Sequence, residues 1–480
     1  MKPVIIFRAD ANIEIGYGHV IRSLALANML KDHFNCVFAT RFVTPYIERE
    51  IHNTCSELIK LPESDEHFEA FLSVVTKDKI VVLDNYFFDT DYQQSIKNKG
   101  CKLVCIDDIH DKHFVADVVI NHAGGIPKAS CSIAPYTSLY LGPDYALLRS
   151  EFLVQDKKDG NTSILVCFGG ADKGNATLQA LKMLDDKQFL HQCYIVVGDA
   201  FQHQQALTEF QQSSNLNIDV LKNLSAQEMA DVMSGCRYAI CPPSTVSYEY
   251  LFRSGGELYL KVIADNQEDM YSFFVKNNLA FDLSEMFVEC PVRIEKNRKM
   301  KECFFRGQPQ ERLLLIFKRL VEEQKMCLRA ASLSDLDLYY QWVNESLTRQ
   351  NATSERPVTY EEHIRWFTEK QNSENTYLWL LEYESVPVGQ IRFDIDRERK
   401  EAVISYSIDA QHRGKGYGTI IVKEGLRLFS HLEKDILVIN ALVKNTNLAS
   451  CRVFERFNFN DAVSSHMPDG FKNYQMIIKK

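Results

Sequence analysis

Gln411-His412-Arg413-Gly414-Lys415-Gly416-Tyr417-Gly418 is the stretch that decides how the last third of this chain is read. It follows a run of alternating, strand-like character, Ala402 to Ile408, and opens a helical stretch from Thr419 to Phe429. Glycines at every second position let main chain approach an anion without interference from a Cβ. The helix start adds free N–H groups and the positive end of its dipole. Together these make a pyrophosphate cradle. The first two thirds of the chain look unrelated to it, so the sequence predicts two separate functional parts joined in one polypeptide.

At 480 residues the chain is too long for one hydrophobic core. Its hydrophobic content of 45% and charged content of 25% are those of an ordinary soluble protein. A formal charge of −9 argues against a nucleic-acid or anionic-membrane surface. No apolar run approaches the ~20 residues of a membrane helix. Met1-Lys2-Pro3-Val4-Ile5-Ile6-Phe7 reads as a first buried strand and is too short in apolar residues for a secretory leader. Thirteen scattered cysteines, an odd number, suit reduced thiols in a cytoplasmic protein. Cys101, Cys105, His110 and His113 match no standard zinc spacing, and no metal is expected. The oligomeric state is not readable from the sequence.

The first half alternates β-rich and helical runs. Pro3–Phe7, Lys79–Asp84, Lys102–Asp107 and Asp117–Asn121 read as buried parallel strands, followed by Ser163–Phe168, Tyr194–Val197, Tyr238–Cys241 and Glu257–Ile263. This order predicts two doubly wound α/β domains, whose ligands bind beyond the carboxyl ends of the strands. The break is placed at Gln155–Thr162, where polar residues and glycine replace the apolar pattern. A helical stretch, Gln310–Gln324, closes this region. The expected domains are residues 1–155, 156–325 and 326–480.

The first strand leads through Arg8-Ala9-Asp10 to Gly16-Tyr17-Gly18-His19 and then to a helix carrying Val20, Leu24, Ala27 and Leu30. His19 therefore sits at a helix start on the carboxyl edge of a sheet. The dipole there disfavours imidazolium, so a neutral ring is available to accept a proton. The plainer reading, a tight turn with a histidine cap, is equally compatible with the spacing alone. Other strand ends add weight: Asp84-Asn85-Tyr86, Gly169-Gly170-Ala171-Asp172, the Pro242-Pro243-Ser244-Thr245 turn with Glu249, and Asn266-Gln267. Ser244 and Thr245 would offer hydroxyl and N–H groups to a diphosphate, and Glu249 could accept from ribose hydroxyls. Any one of these could be only a turn or a cap. Several of them at parallel strand ends point to a nucleotide cleft.

These segments, with Arg22 and Leu147-Leu148-Arg149-Ser150-Glu151-Phe152, resemble the pseudaminic-acid-pathway UDP-sugar hydrolase over roughly residues 1–319. That resemblance implies a glycosyltransferase-B-like pair of Rossmann-type domains. It also implies hydrolysis of UDP-2,4-diacetamido-2,4,6-trideoxy-β-L-altrose to UDP and free sugar, with His19 as the catalytic histidine. The substrate-binding set carried over is Asp10, Gly16, Gly18, Arg22, Tyr86, Gly169, Gly170, Asp172, Ser244, Thr245, Glu249, Asn266 and Gln267. The Pro242-Pro243 pair departs from relatives, which tend to have small residues there.

Beyond the cradle, Ile436–Val443 reads as a strand. Asn445-Thr446-Asn447-Leu448-Ala449-Ser450 then leads into a helix carrying Cys451, Phe454 and Phe457. Strand, glycine cradle, helix, strand and Asn-x-x-Ser helix is the order of a GNAT acetyltransferase, which residues 328–480 resemble. The resemblance implies acetyl-CoA as co-substrate. Its expected contacts are Ile408, Gln411, Arg413, Gly414, Lys415, Gly416, Tyr417, Gly418 and Asn447. A dinucleotide loop is the rival, but no second parallel strand with a ribose-binding acid follows at the expected distance. Trp342 and Trp366 read as core residues. The nearest subfamily resemblance, the pseudaminic-acid-pathway N-acetyltransferase, implies 4-N-acetylation of a UDP-linked amino sugar. Relatives often carry a tyrosine as acid for the departing thiolate where this chain has Phe454; Tyr474 and Tyr417 are substitutes to consider, and no acid or base is assigned.

The two resemblances together suggest consecutive steps of one pathway, acetylation and then release of the sugar from UDP. A glycosyltransferase fused to an amino-sugar acetyltransferase, the same activities on a legionaminic-type sugar, and an acetyl-CoA sensor are the alternatives.

Overall fold

The computed structural model describes residues 2–12, 15–154, 162–198, 200–288, 291–304, 308–462 and 468–478. The chain divides into two compact units, Met1–Ser132 with Leu139–Arg319, and Ile133–Ser138 with Leu320–Lys480. The break expected at Gln155–Thr162 lies, but for its last residue, outside the described residues.

The first unit holds two sheets. The first contains β1 (Val4–Ala9), β2 (Asn35–Thr40), β3 (Glu57–Lys60), β4 (Ile80–Asp84), β5 (Lys102–Ile106), β6 (Val118–Asn121) and β7 (Ser138–Leu141), in the order β3-β2-β1-β4-β5-β6-β7. The second contains β8 (Ile164–Val166), β9 (Gln192–Val197), β10 (Asn217–Lys222), β11 (Tyr238–Cys241), β12 (Glu257–Leu260) and β13 (Phe281–Asp282), in the order β10-β9-β8-β11-β12-β13. β4, β5 and β6 are buried along their whole length, as strands covered on both faces by helices must be. β1 pairs in parallel with both β2 and β4, and β8 with both β9 and β11. The winding direction therefore reverses at β1/β4 and again at β8/β11. At such a reversal the loops leaving the two strands part, which opens a crevice at their carboxyl ends. β2, β3, β7, β10 and β13 were not among the expected strands.

The second unit is one mixed sheet of β14 (Met326–Ala330), β15 (Thr376–Tyr383), β16 (Val386–Asp396), β17 (Glu401–Ile408), β18 (Val438–Lys444), β19 (Asn460–Ala462) and β20 (Phe471–Ile477), in the order β14-β15-β16-β17-β18-β20-β19. β16 alternates, with Val388, Ile391, Phe393 and Ile395 buried, so its apolar side packs on a helix while its neighbours remain wetter. Gly425, on the helix Tyr417–Leu432, allows that packing: a Cβ there would lie 2.5 Å from Ile391. The one parallel pair, β17 with β18, registers only from Glu401↔Val438 to Val403↔Asn440. Beyond it the strands diverge, so the β18-facing edge of Ile404–Ile408 has no strand partner among the described residues.

Candidate active sites

The first site forms at the β1/β4 reversal. β1 delivers the chain into the helix Gly18–Leu30, and His19 stands in its first turn, 5% exposed. β4 ends on Asp84, and the two meet: His19 Nδ1 is 2.7 Å from Asp84 Oδ1. Asp84 also accepts from Arg22 Nε at 2.7 Å, Arg22 Nη2 at 2.6 Å and Ser23 Oγ at 3.2 Å. Burial works against its charge, but Arg22 and His19 hold the carboxyl down at about 2. Arg22 Nη2 lies 3.1 Å from His19 Nδ1 but already donates to Asp84, which assigns the Nδ1 proton to the Asp84 bond. In the neutral ring Nε2 is then the proton acceptor, and no described side chain hydrogen-bonds to it.

Arg22 continues the network. Its Nη1 donates to Asp108 Oδ2 at 2.7 Å, Tyr86 Oη donates to the same oxygen at 3.1 Å, and Asn266 Nδ2 donates to Tyr86 Oη at 2.9 Å. The Tyr86 ring meets the His19 ring edge-on at 4.6 Å. The array His19–Asp84–Arg22–Asp108–Tyr86–Asn266 thus links the two Rossmann-type halves of this unit. Asp108, despite its burial, is held below the usual carboxylate range by Arg22 and His19.

Asp10 is fully buried and committed elsewhere. Its oxygens receive Arg8 Nη1 and Nη2 at 2.5 and 2.9 Å, Arg41 Nε at 2.7 Å and the Arg41 N–H at 2.8 Å. In this arrangement its side chain anchors Arg8 and Arg41. Gly16 and Gly18 bracket Tyr17 at the mouth of the helix.

The second reversal, β8/β11, carries the other wall of a cleft of about 250 Å³, lined by Tyr17, Gly18, Gly170, Gly198, Ser244 and Glu249 among others. Ser244 caps the helix Thr245–Arg253 by position, yet its side chain makes no capping bond. The N–H groups of Thr245 and Val246 also find no main-chain acceptor among the described residues. A hydroxyl and two N–H donors at a positive helix end face the space where an anion is needed. The Pro242 carbonyl is held by Ser247 Oγ at 2.7 Å, so the proline pair is tied into the turn. Glu249 is clamped to Arg149, with Nε–Oε1 2.9 Å and Nη2–Oε2 3.1 Å. Asp172 caps the helix Ala176–Asp186, receiving the Ala176 and Thr177 N–H groups at 2.8 Å each. Gln267 Oε1 accepts from the Ile263 N–H at 2.9 Å. Gly169 and Gly170 lie at the cleft floor.

Three contributors have no local sequence signal: Asp108, Asp84 in its pairing with His19, and Gly198. Asp84 was visible as a strand end, but nothing local ties it to a histidine 65 positions earlier. Gly198, after β9, is needed because a Cβ there would sit 2.7 Å from Gly170 Cα. No motif marks that requirement.

The second site occupies the divergence of β17 and β18. Asp409 ends β17 and organises the turn: it receives the Gln411 N–H at 2.9 Å, Trp342 Nε1 at 2.9 Å and stands 3.1 Å from His412 Nδ1. Arg413 is turned inward, donating to the Ile408 carbonyl at 3.1 Å and to Glu345 at 2.5 Å. Gln411 therefore spends its N–H within the turn, and the Arg413 side chain braces the loop. Gly414 (φ +78°) and Gly416 (φ +83°) take left-handed conformations with nothing within 4 Å of a Cβ position. The N–H groups of residues 414–418 find no main-chain acceptor among the described residues, which leaves them for an anion. Tyr417 opens the helix Tyr417–Leu432, its ring stacked between Tyr383 and His412, and the Lys415 side chain lies on the exposed rim.

Asn447 caps the helix Leu448–Arg456, accepting the Ser450 N–H at 3.2 Å. Phe454 is buried, edge-on to Tyr406 at 5.7 Å. Tyr474 donates to Glu455 at 2.9 Å. The hydroxyl that meets Ser450 Oγ, at 3.1 Å, belongs to Tyr406 of β17, and burial pushes its pKa up to about 12. No sequence motif marks Tyr406. Trp342 is 6% exposed, and Trp366 packs at the edge of the same core.

Residues 325–460 match the Acetyltransferase (GNAT) domain family. A protein of Bacillus subtilis (strain 168), whose name assigns it provisionally to the phosphinothricin acetyltransferases, is 31% identical over 140 residues, which is 28% of this chain and 83% of that protein. Through its second unit, the chain belongs to the GNAT acetyltransferases. A GNAT domain implies use of acetyl-CoA, and the free N–H groups and unpaired β17 edge fit that co-substrate. Outside the GNAT unit, the chain is similar to the UDP-2,4-diacetamido-2,4,6-trideoxy-β-L-altropyranose hydrolase of Campylobacter jejuni, 28% identical over 184 residues. That match takes in 36% of this chain and 63% of the hydrolase. An uncharacterized protein of Methanocaldococcus jannaschii is 24% identical over 493 residues and matches 96% of both chains. The joining of a UDP-sugar-hydrolase-like unit to a GNAT unit thus has a full-length counterpart.

Proposed function

We propose that this chain catalyses two consecutive steps on a UDP-linked amino sugar. The GNAT unit acetylates the 4-amino group of UDP-4-amino-4,6-dideoxy-N-acetyl-β-L-altrosamine. The first unit then hydrolyses UDP-2,4-diacetamido-2,4,6-trideoxy-β-L-altropyranose to UDP and free sugar. The observation that carries this reading is the Asp84–His19 pair at the β1/β4 reversal, within a unit similar to a hydrolase of that nucleotide sugar.

In the hydrolase, His19 Nε2 takes a proton from water as the water oxygen bonds to the anomeric carbon. Asp84 orients the ring through Nδ1 and balances the imidazolium charge that develops. The bond from the anomeric carbon to the diphosphate oxygen breaks on the opposite side, which inverts the centre. Ser244 and the first-turn N–H groups of Thr245 and Val246 receive the negative charge of the departing UDP. Gly169, Gly170 and Glu249 line the nucleotide pocket, and Tyr86, Arg22 and Asn266 fix the geometry around His19. Asp10, Asp172 and Gln267 act by holding loops in place. None of these steps assigns a role to a metal.

In the GNAT unit, the N–H groups of residues 414–418 hold the pyrophosphate of acetyl-CoA, and the free edge of β17 up to Ile408 pairs with its pantetheine arm beside Asn447. The amine nitrogen bonds to the acetyl carbonyl carbon and gives up a proton, the carbon–sulfur bond breaks, and the thiolate takes up a proton to leave as coenzyme A. Both steps belong in the cytoplasm, where nucleotide sugars and acetyl-CoA are made.

Mass spectrometry of the full chain with the 4-amino nucleotide sugar and acetyl-CoA tests the whole reading. The diacetamido nucleotide should appear first, then free sugar and UDP. If the acetylated nucleotide accumulates and UDP is released only when a sugar acceptor is added, the first unit is a glycosyltransferase. His19→Ala should abolish UDP release and leave acetyl transfer intact.

A further inference from the structure

His122 plays no part in the chemistry above, yet its position is unusual. It follows β6 directly and is 5% exposed. Its ring packs edge-on against Tyr248 at 5.6 Å, and its main-chain oxygen accepts the Tyr248 hydroxyl at 2.7 Å. That packing would suit a phenyl ring equally well. The imidazole instead leaves Nδ1 buried with no hydrogen-bond partner among the described residues, an unsatisfied polar atom that a folded core ordinarily avoids.

A second such atom lies in the next strand. Asp108 Oδ2 serves Arg22 and Tyr86, while Oδ1 is buried and has no partner among the described residues. The last registered pair of β5 and β6 is Ile106↔Ile120; Asp108 and His122 each lie two residues beyond it, and the Asp108 charge acts on the His122 ring. Tyr86, in the turn after β4, meets Asp108, in the bend after β5, through their hydrogen bond. Tyr86, Asp108 and His122 follow the neighbouring strands β4, β5 and β6 and form a row of loop residues at the carboxyl edge, beginning with Tyr86 beside the His19 ring. Burial pushes the His122 ring down to about 4, with Arg22 adding to the effect, so it is neutral at physiological pH. The row then offers an anionic acceptor from Asp108 and a neutral nitrogen that can donate from His122.

We propose that Asp108 Oδ1 and His122 Nδ1 together seat one uncharged substituent of the sugar ring, a group such as acetamido that donates one hydrogen bond and accepts another. The proposal rests on the hydrolase reading of this unit and assigns His122 as a specificity-determining residue. The sugar is then recognised by strand ends of the first sheet, while UDP is held by the helix start and glycines of the second.

The test compares binding of UDP and of UDP-2,4-diacetamido-2,4,6-trideoxy-β-L-altrose by calorimetry. It uses the full chain carrying His19→Ala, so that the sugar nucleotide is not consumed. Adding His122→Phe should leave the UDP Kd within twofold and weaken the sugar nucleotide at least tenfold. His122→Asn, whose amide reaches the position of ring Nδ1, should restore most of the loss; His122→Gln, which reaches the Nε2 position, should not. Equal weakening of both ligands would mean that His122 only packs the fold. No change in either would mean that the two atoms hold nothing but water. Equal recovery by Asn and Gln would overturn the assignment of Nδ1, and it remains decisive if the phenylalanine variant does not fold. Should the chain bind the sugar nucleotide more tightly than UDP, with the wild type releasing no UDP, the hydrolase reading fails and the sugar seat stands. Should the two bind alike, the sugar seat fails.

Discussion

Asp84 shows how one buried side chain serves both folding and chemistry. Its carboxylate has no exposure, and the charge persists because Arg22 and His19 surround it. Replacing it by asparagine keeps the shape but loses the charge that orients His19 and balances imidazolium. Asp84→Asn should therefore lower kcat for UDP release by about 10²–10⁴-fold, with UDP binding little changed. A loss below tenfold would show that His19 acts without it. In the GNAT unit, Gly416 takes φ +83° and presents its N–H to the cradle. Gly416→Val would strain that conformation and set a branched side chain where an anion must approach. The acetyl-CoA KM should rise at least ~10-fold while UDP release is unaffected. An unchanged KM would remove the loop as the pyrophosphate site.

At the scale of elements, the active sites are consequences of where strands part. Both reversals of winding in the first unit place a helix start at a crevice, one carrying His19 and the other Ser244. The GNAT unit reaches a similar end differently, by separating β17 from β18 after three registered pairs. Gly198 shows how closely packed these edges are, since a Cβ there would meet both the Cα and the carbonyl oxygen of Gly170, at 2.7 and 3.0 Å. Gly198→Ala must push the β9 end away from the Gly170 loop, costing about 1–3 kcal/mol of stability. UDP affinity should fall at least ~10-fold, and titration with UDP measures it. An alanine variant with native affinity would mean that the loop moves without consequence for the nucleotide.

Across the molecule, two buried histidines make the first unit sensitive to acid. His67 accepts from Arg8 Nη2 at 3.1 Å, and burial together with Arg8 and Arg41 pushes it down to about 4; burial does the same for His122. Below an unfolded pKa of about 6.5 the unfolded chain gains protons that the native state refuses, so stability falls as pH falls from about 6.5 to about 4. The slope approaches ~1.4 kcal/mol per pH unit for each histidine. All three tryptophans, Trp342, Trp366 and Trp379, lie in the GNAT unit, so their fluorescence reports on that unit. Amide exchange in β1 and β6 reports on the first. Protection there should weaken over this pH range, and His67→Phe should flatten the dependence. Protection independent of pH between 6.5 and 4 would contradict the neutral assignment.

Much of this was legible in the chain itself because it is local. Alternation of buried strands and helices, the Gly16–His19 and Gln411–Gly418 loops, and the Asn447 turn each depend on residues a few positions apart, where glycine conformation and helix polarity are set. The tertiary structure alone decided what depends on distant pairs. It joined His19 to Asp84, chained Arg22 through Asp108 and Tyr86 to Asn266, and committed Asp10 to Arg41. It turned the Arg413 side chain inward and put Tyr406 against Ser450 near Phe454. Those partners lie on different strands, helices and loops, and only sheet order and the packing of helices on the sheets bring them within hydrogen-bonding reach.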